Sequence, residues 1–279
     1  MPELPEVQTV VNELIKNKVI GLTIKKASIF VPSLVKPYTP EEFSKKIQGQ
    51  KIVALTRRAK YIVAALSNNL FLLAHLRMSG HFVVIDEKDE KGRFERARFT
   101  LSNGKALRFD DIRKFGRFFL TDDKEKVLGK LGPEPLEASF TPELLYELLQ
   151  KKQKSAKIKA WLLNQENIAG LGNIYVDEAL WEAKIHPARQ AEELTKKEAA
   201  NLKDAIQKVL KKGIANFGTS LGHTQGNFIK ADGFHGSNQE SLNVFHQTGK
   251  PCPRCQTKIE RLVIAQRGTH ICPNCQKKD

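Results

Sequence analysis

The sequence predicts a multidomain α+β protein, and three observations predict it. An apolar period of helical spacing lies just behind Met1, and strand-like runs follow it up to about residue 130. After a proline-rich stretch at 131–143 the period turns helical again. The chain then closes on four cysteines in two C-x2-C pairs. At 279 residues the chain is long enough for two domains and a small appendage. The expected division is an N-terminal helix with a β-sandwich over 1–135, a helical module over 136–240 that ends in a long loop at about 218–240, and a cysteine-bound segment over 241–279.

Each element follows from local pattern. Val7, Val10, Val11, Leu14 and Ile15 recur at i, i+3, i+4, i+7 and i+8, which predicts an amphipathic first helix. Pro5 is compatible with its first turn, where a missing N–H costs nothing. Residues 21–31 alternate as a strand does. Two hairpins are predicted, one turning at Ser67-Asn68-Asn69 and one at Ser102-Asn103-Gly104, and GRFFLTDD adds a further strand. Such a β-rich stretch suggests a sandwich or flattened barrel. Thr141-Pro142 opens a helix carrying Leu144, Leu145, Leu148 and Leu149. Lys157–Leu163 reads as a second helix and runs into Gly170-Leu171-Gly172-Asn173, where a third begins. Thr195 and Glu198 form a capping box for a fourth, which ends near Gly213. Residues 218–240 are rich in Gly, Asn and His, and a loop of that length in a compact protein is usually functional. Two strand-like runs around Gln266-Arg267-Gly268-Thr269 place Arg267 at the tip of a hairpin.

Charge and cysteines narrow the function class. The formal net charge is +15, from 46 Lys and Arg against 31 Asp and Glu. That excess favours a polyanionic partner over a solvated surface, and nucleic acid over membrane, because no basic amphipathic anchor stands out. No apolar run approaches a membrane span and no signal peptide is visible, so a cytoplasmic location is expected. Cys252, Cys255, Cys272 and Cys275 use every cysteine in the chain, with sixteen residues between the pairs. The spacing suits a four-thiolate zinc site, and disulfides would need an oxidising compartment. A closed site of this kind is structural, with no open position for water.

Several motifs have both a chemical and a plain reading. If Met1 is trimmed, Pro2 becomes a terminal secondary amine flanked by Glu3, with Glu6 one turn on. Such an amine titrates near ~8 and can attack an aldehyde-level carbon to give an iminium ion. The plain reading is a stiff helix cap. Gly170-Leu171-Gly172-Asn173 either presents backbone N–H groups to phosphate at a helix N-terminus or makes an ordinary turn. Arg57-Arg58-Ala59-Lys60-Tyr61 interrupts two β runs with three cations, as a solvated turn or as a phosphate contact with a lysine for proton transfer. His75 and Met78 close a strand at a loop. In Asp111-Ile112-Arg113-Lys114-Phe115-Gly116, Phe115 and Arg113 suit either a wedge in a base stack or a core ring beside a surface cation. The seven histidines show no metal spacing among themselves, and no Ser-His-Asp or phosphate-loop signature occurs.

Taken together these motifs resemble the bacterial formamidopyrimidine-DNA glycosylases along the whole chain. The resemblance is carried by PELPEV at the start, RRAKY at 57–61, HLRMSG at 75–80 and DIRKFG at 111–116. It continues through LGPEPL at 131–136, GLGNIYVDEAL at 170–180, IHPAR at 185–189 and RGTHICPNCQ at 267–276. The related endonuclease VIII group typically begins PEGPE, so Leu4 favours the formamidopyrimidine branch. The resemblance implies a β-sandwich domain with an N-terminal helix, a helix-two-turn-helix module and a zinc-finger hairpin. It also implies a base-excision repair glycosylase and lyase acting on oxidised purines in damaged double-stranded DNA. A monomer with one structural zinc ion and no redox cofactor is expected.

By position, Pro2 would be the nucleophile, Glu3 would manage protons at the sugar and Glu6 would support the site. Lys60 would bind phosphate and assist elimination, and Arg267 would clamp the flanking phosphate. His75, Lys159, Asn173 and Arg261 would be further DNA contacts, with Met78, Arg113 and Phe115 filling the gap left by an everted base. Cys252, Cys255, Cys272 and Cys275 would hold the zinc.

The chain departs from the pattern at Phe94 and Arg96, where the family often has His, at Phe245 where Tyr is usual, and at Ser155 between Lys154 and Lys157. With the loop at 218–240, these differences bear on base preference more than on the reaction. Two other readings compete: an endonuclease VIII-like enzyme for oxidised pyrimidines, and a non-catalytic zinc-finger DNA-binding protein. The second gives no reason for a terminal Pro-Glu pair.

Overall fold

The structure, a computed structural model, describes residues 1–151, 156–221, 228, 231 and 235–278. Lys154 and Ser155, and residues 222–227, 229–230 and 232–234 of the 218–240 loop, lie outside the described residues.

Helix α1 (Leu4–Lys16) forms as its period predicts, with Pro5 and Glu6 in the first turn and Glu3 extended at the cap. Val7, Val10, Val11 and Leu14 are at most 2% exposed, each burial stabilising by about 1.5–3 kcal/mol. Ile15 corrects the expected face, being 42% exposed. It sits about 80° round the helix from Val7, at the edge of the apolar stripe.

The chain continues through β1 (Ile24–Ile29), β2 (Val35–Lys36), α2 (Pro40–Ile47), β3 (Ile52–Arg58), β4 (Tyr61–Leu66) and β5 (Phe71–His75). Then come β6 (His81–Asp86), β7 (Glu95–Leu101), β8 (Lys105–Asp110), β9 (Arg117–Thr121) and a single turn, α3 (Glu125–Leu128). One sheet has the order β2-β9-β5-β4-β3 and the other β1-β7-β8-β6. Pairing is antiparallel except for β2 with β9. Both predicted hairpins are present: Asn69 (φ 61°) turns the chain between β4 and β5, and Gly104 (φ 79°) between β7 and β8. Helix α2 is set by a capping box and a proline. Thr39 Oγ1 accepts from Glu42 N at 3.2 Å, Thr39 N donates to Glu42 Oε2 at 2.9 Å, and Pro40 is the first helical residue.

One core joins α1 to residues of both sheets, among them Leu72 and Phe118 from the first and Phe82, Phe99 and Phe109 from the second. Phe109 meets Phe118 edge-on at 4.8 Å, and Phe82 stacks on Phe118 at 5.8 Å.

Beyond residue 131 lie α4 (Pro142–Gln150), α5 (Ile158–Leu163), α6 (Asn173–Glu182) and α7 (Lys196–Ala215), then the hairpin β10 (Glu260–Ile264) and β11 (Arg267–Ile271). Thr141 caps α4 by accepting from Leu144 N at 3.2 Å. The capping box at α7 is present, with Glu198 N donating to Thr195 Oγ1 at 3.2 Å and Thr195 N to Glu198 Oε2 at 2.8 Å. Helix α7 runs through Gly213, whose missing side chain leaves room for the Tyr175 ring.

The chain packs as two compact units, 1–130 with 214–239, and 131–213 with 240–279. Residues from the 218–240 stretch therefore group with the N-terminal unit, and the cysteine segment groups with the helices. The contacts explain both. Phe228 and Ala231 join the N-terminal core, and Ala231 N donates to Glu13 Oε2 of α1 at 2.5 Å. In the second unit, Glu178 of α6 accepts from the backbone N–H groups of Asn243, Val244 and Phe245 at 2.8–3.0 Å.

Candidate active site

In the first unit the site is built on the start of α1. Pro2 is buried just ahead of the helix while Met1 is 48% exposed. Glu3 and Glu6 are 3% and 1% exposed. The Glu6 carboxylate is divided between two backbone donors. Its Oε2 accepts from Glu3 N at 2.8 Å and its Oε1 from Thr219 N at 2.8 Å. The residue expected only to support the site thus ties the N-terminal end of α1 to a segment 213 positions away. Gly218 (φ +80°) allows this approach, since a Cβ there would lie 2.9 Å from the Phe228 ring and 3.0 Å from Glu6 Cγ.

Lys60 sits in a two-residue turn between β3 and β4. The arginines expected to interrupt the β runs are strand residues instead, Arg57 opposite Ile62 and Arg58 opposite Tyr61. Ala59 (φ 51°) makes the turn, and Arg57 braces it by donating to Ala59 O at 3.1 Å and to Gln8 Oε1 of α1 at 3.0 Å. Lys60 is 5% exposed, so the solvated-turn reading fails for it. At the end of β5, His75 is 8% exposed and edge-on to Tyr61 at 4.7 Å. Burial, then the positive charges of Arg77 and Lys60, hold its pKa down to about 3. His75 Nδ1 accepts from Arg77 N at 3.0 Å, so the neutral ring carries its proton on Nε2. It is a fixed neutral donor.

Two loops beside it are organised by Asp111, a residue whose role no local pattern in the sequence marks. Asp111 Oδ1 accepts from Ser79 Oγ at 2.5 Å and from Arg113 N at 3.1 Å, and Oδ2 accepts from Gly116 N at 2.8 Å. Gly80 and Gly116 close both loops onto the Phe109 ring, where a Cβ on either would lie within 2.7 Å of it. This frame presents Met78 (37% exposed) and Phe115 (45% exposed), with the Arg113 guanidinium 4.8 Å over the Phe115 ring. Phe115 is therefore not a core ring. A cleft of about 300 Å³ is lined by Met1, Arg77, Met78, Phe115 and Arg117. Arg96 spends its Nε on Asp111 O at 2.8 Å, and Phe94 packs under Arg93.

In the second unit the hairpin turns through Ala265 and Gln266, both with positive φ, and Arg267 and Arg261 are exposed. The turn is fastened to α5 and α6. Gly268 O accepts from Lys159 Nζ and from Asn173 Nδ2, both at 3.0 Å. Lys159 also pairs with Asp177 Oδ1 at 2.6 Å, and both side chains are fully buried. The lysine expected among the DNA contacts is thus an internal fastener of the finger. Asp177 Oδ2 in turn accepts from His270 N at 2.9 Å. Asp177 went unnoticed, although it lies one turn from Asn173 on the same helix. Across the hairpin, Arg261 lies over Gly268, where a Cβ would be 3.0 Å from its Nη2. Phe245 stacks on His246 at 4.7 Å.

Cys252, Cys255, Cys272 and Cys275 have their sulfurs within 4.8 Å of one another. The closer pairs are 3.4–3.9 Å apart, matching the ~3.8 Å edge of a tetrahedron with 2.3 Å metal–sulfur bonds. The donor set fits zinc. Among the described residues no helix is long and apolar enough to cross a membrane.

Three family models match in order: the formamidopyrimidine-DNA glycosylase N-terminal domain over residues 1–118, its H2TH domain over 131–224, and a zinc finger found in FPG and IleRS over 249–278. The formamidopyrimidine-DNA glycosylase of Protochlamydia amoebophila is 48% identical over 278 residues, covering 100% of each chain. Among solved structures, a Lactococcus lactis FPG mutant in complex with a Fapy-dG-containing DNA is 34% identical with a TM-score of 0.90, covering 99% of this chain and 100% of that one. The wild-type L. lactis protein with an oxidized-pyrimidine-containing DNA is 36% identical with a TM-score of 0.89, at the same coverage.

Proposed function

This chain belongs to the formamidopyrimidine-DNA glycosylase family and is a DNA glycosylase, and from that premise we propose that it excises oxidised purines from duplex DNA and cleaves the resulting abasic site through a Schiff base on Pro2. The observation that carries the proposal is the buried Pro2 ahead of α1, backed by the buried carboxylates of Glu3 and Glu6.

Once Met1 is removed, the Pro2 nitrogen is a secondary amine that attacks C1′ of the damaged nucleotide as the base departs. The amine then loses its proton and the sugar ring opens, the C1′–O4′ bond breaking as Glu3 protonates O4′. The iminium ion so formed between the Pro2 nitrogen and C1′ acidifies the C2′ proton. Its loss breaks the C3′–O bond and releases the 3′ phosphate, and a second elimination releases the 5′ phosphate. Glu3 handles protons at the sugar, and Lys60 binds phosphate and assists elimination. His75 donates to phosphate through Nε2–H without taking up charge. Arg267, Arg261 and Asn173 contact the flanking backbone. Lys159, fully buried, acts on DNA only by positioning Gly268 and its neighbour Arg267. The damaged base must leave the stack, at a cost of a few kcal/mol, and Met78, Arg113 and Phe115 fill the gap. Zinc, held by the four cysteines, supplies a rigid tether for the hairpin and no reacting group.

Borohydride reduction during turnover tests this reading. Trimmed, zinc-loaded protein should be trapped on DNA carrying 8-oxoguanine opposite C, with the adduct on Pro2, and a retained Met1 should abolish trapping. No adduct from trimmed protein would favour a binding-only role. The L. lactis complex with an oxidised pyrimidine makes substrate class a second arm, since faster release of thymine glycol than of 8-oxoguanine would overturn the purine assignment.

A further inference from the structure

The cysteine cluster has a neighbour that the tetrahedron does not require. Trp181, in the last turn of α6, is 5% exposed and packs in one apolar cluster with Cys252, Cys272, Val244 and Ile259. Its indole Nε1–H is buried and has no hydrogen-bond partner among the described residues. An indole N–H is a donor only, and a buried donor left without an acceptor costs about 1–3 kcal/mol. The cluster it packs in holds the Cys252 and Cys272 side chains, so a cysteine sulfur is the acceptor that this setting offers. Arg254, two residues past Cys252, covers one face of the ring. The guanidinium carbon lies 4.0 Å over the ring, and Nη1 donates to Trp181 O at 3.0 Å. Its Nη2 is 3.7 Å from Glu182 Oε2.

We propose that Trp181 is an outer-shell member of the zinc site, its indole N–H donating to the Cys252 thiolate. Four thiolates around one dication leave excess negative charge on the sulfurs, and donors aimed at them offset it. Backbone amides within the cysteine loops do part of this, as Cys275 N does towards Cys272 Sγ at 3.5 Å. Trp181 differs because its donor comes from the helical module. It therefore couples the metal's electronic environment to the seating of the finger on α6. With the donor in place, Cys252 is a weaker nucleophile, and the site loses zinc and reacts with electrophiles more slowly.

The test is W181F in the full chain, which keeps an aromatic ring for Arg254 while removing the donor, along with some buried ring volume that the band readout separates from it. In the cobalt(II)-substituted protein, the thiolate-to-cobalt charge-transfer band should move to lower energy. Zinc affinity, measured by competition with a chelator, should fall by about tenfold. Alkylation of the zinc-loaded finger by iodoacetamide should speed up in parallel. An unmoved band overturns the proposal, and so does an affinity loss without a band shift, which marks a packing effect. If W181F does not fold, the unaltered chain loaded with NMR-active cadmium decides. A scalar correlation between the metal and the Trp181 indole proton supports the bond, and its absence refutes it.

Discussion

Glu6→Gln tests the link between the N-terminal end of α1, where Pro2 lies, and the segment at Thr219. The substitution keeps the size of the side chain and removes its charge and one acceptor oxygen. In the protein both oxygens are used, Oε2 by Glu3 N and Oε1 by Thr219 N, each at 2.8 Å. Glu6 is 1% exposed, so water cannot replace either bond. Whichever way the amide turns, one backbone N–H faces an NH2 group. A hydrogen bond to a charged acceptor is worth about 1.5–3 kcal/mol, and an orphaned buried donor costs a similar amount. A stability loss of about 2–3 kcal/mol is therefore expected, read as a lower denaturation midpoint at unchanged slope. The functional readout is a ratio. Release of 8-oxoguanine should fall by about 10- to 100-fold in kcat/KM, equivalent to ~1.4–2.7 kcal/mol. Cleavage of a ready-made abasic site, which needs no grip on a base, should fall less. A variant of full stability with an unchanged ratio of the two activities would refute the reasoning.

Three further outcomes follow from the same geometry. His75 has a folded pKa of about 3, below its ordinary 6.5, so the unfolded chain takes up the proton first as pH falls. Stability should drop below pH 6.5, by up to about 1.4 kcal/mol per pH unit until the folded pKa is reached, and His75→Gln should remove that slope from acid titrations of unfolding. Lys159→Met leaves the Asp177 carboxylate buried and half-satisfied, which should cost about 3–5 kcal/mol in denaturant unfolding of the second unit and weaken DNA binding through Arg267. Cys272→Ser, or zinc removal by a chelator, should weaken DNA binding and turnover while calorimetry still shows the transition of the N-terminal unit. Full activity of a zinc-free protein would show the finger to be dispensable.

What the sequence determined alone is what short-range physics determines. The helix period behind Met1, the caps at Thr141 and Thr195 and the turns at Asn69 and Gly104 depend on a few neighbouring residues, and each element formed where its pattern lay. Thr39 and Glu42 carry the same kind of local signal for α2. The four cysteines were legible because two ligands three apart must converge on one metal. Pro2 was legible only as a position, since a secondary amine can exist at no other residue of the chain.

What tertiary structure decided is whatever depends on partners far along the chain. The parallel pairing of β2 with β9 joins residues that no local period connects. Lys159 reads as a basic surface residue until Asp177 and Gly268 O are found around it, and only their charge and carbonyl make its full burial tolerable. Asp111 is one acid among many until the loops at Ser79 and Gly116 close on it. The Glu6 carboxylate reaches Thr219 across 213 positions, a contact that only packing can create. Sequence put a proline at the head of a helix, and tertiary structure buried it and set carboxylates behind it.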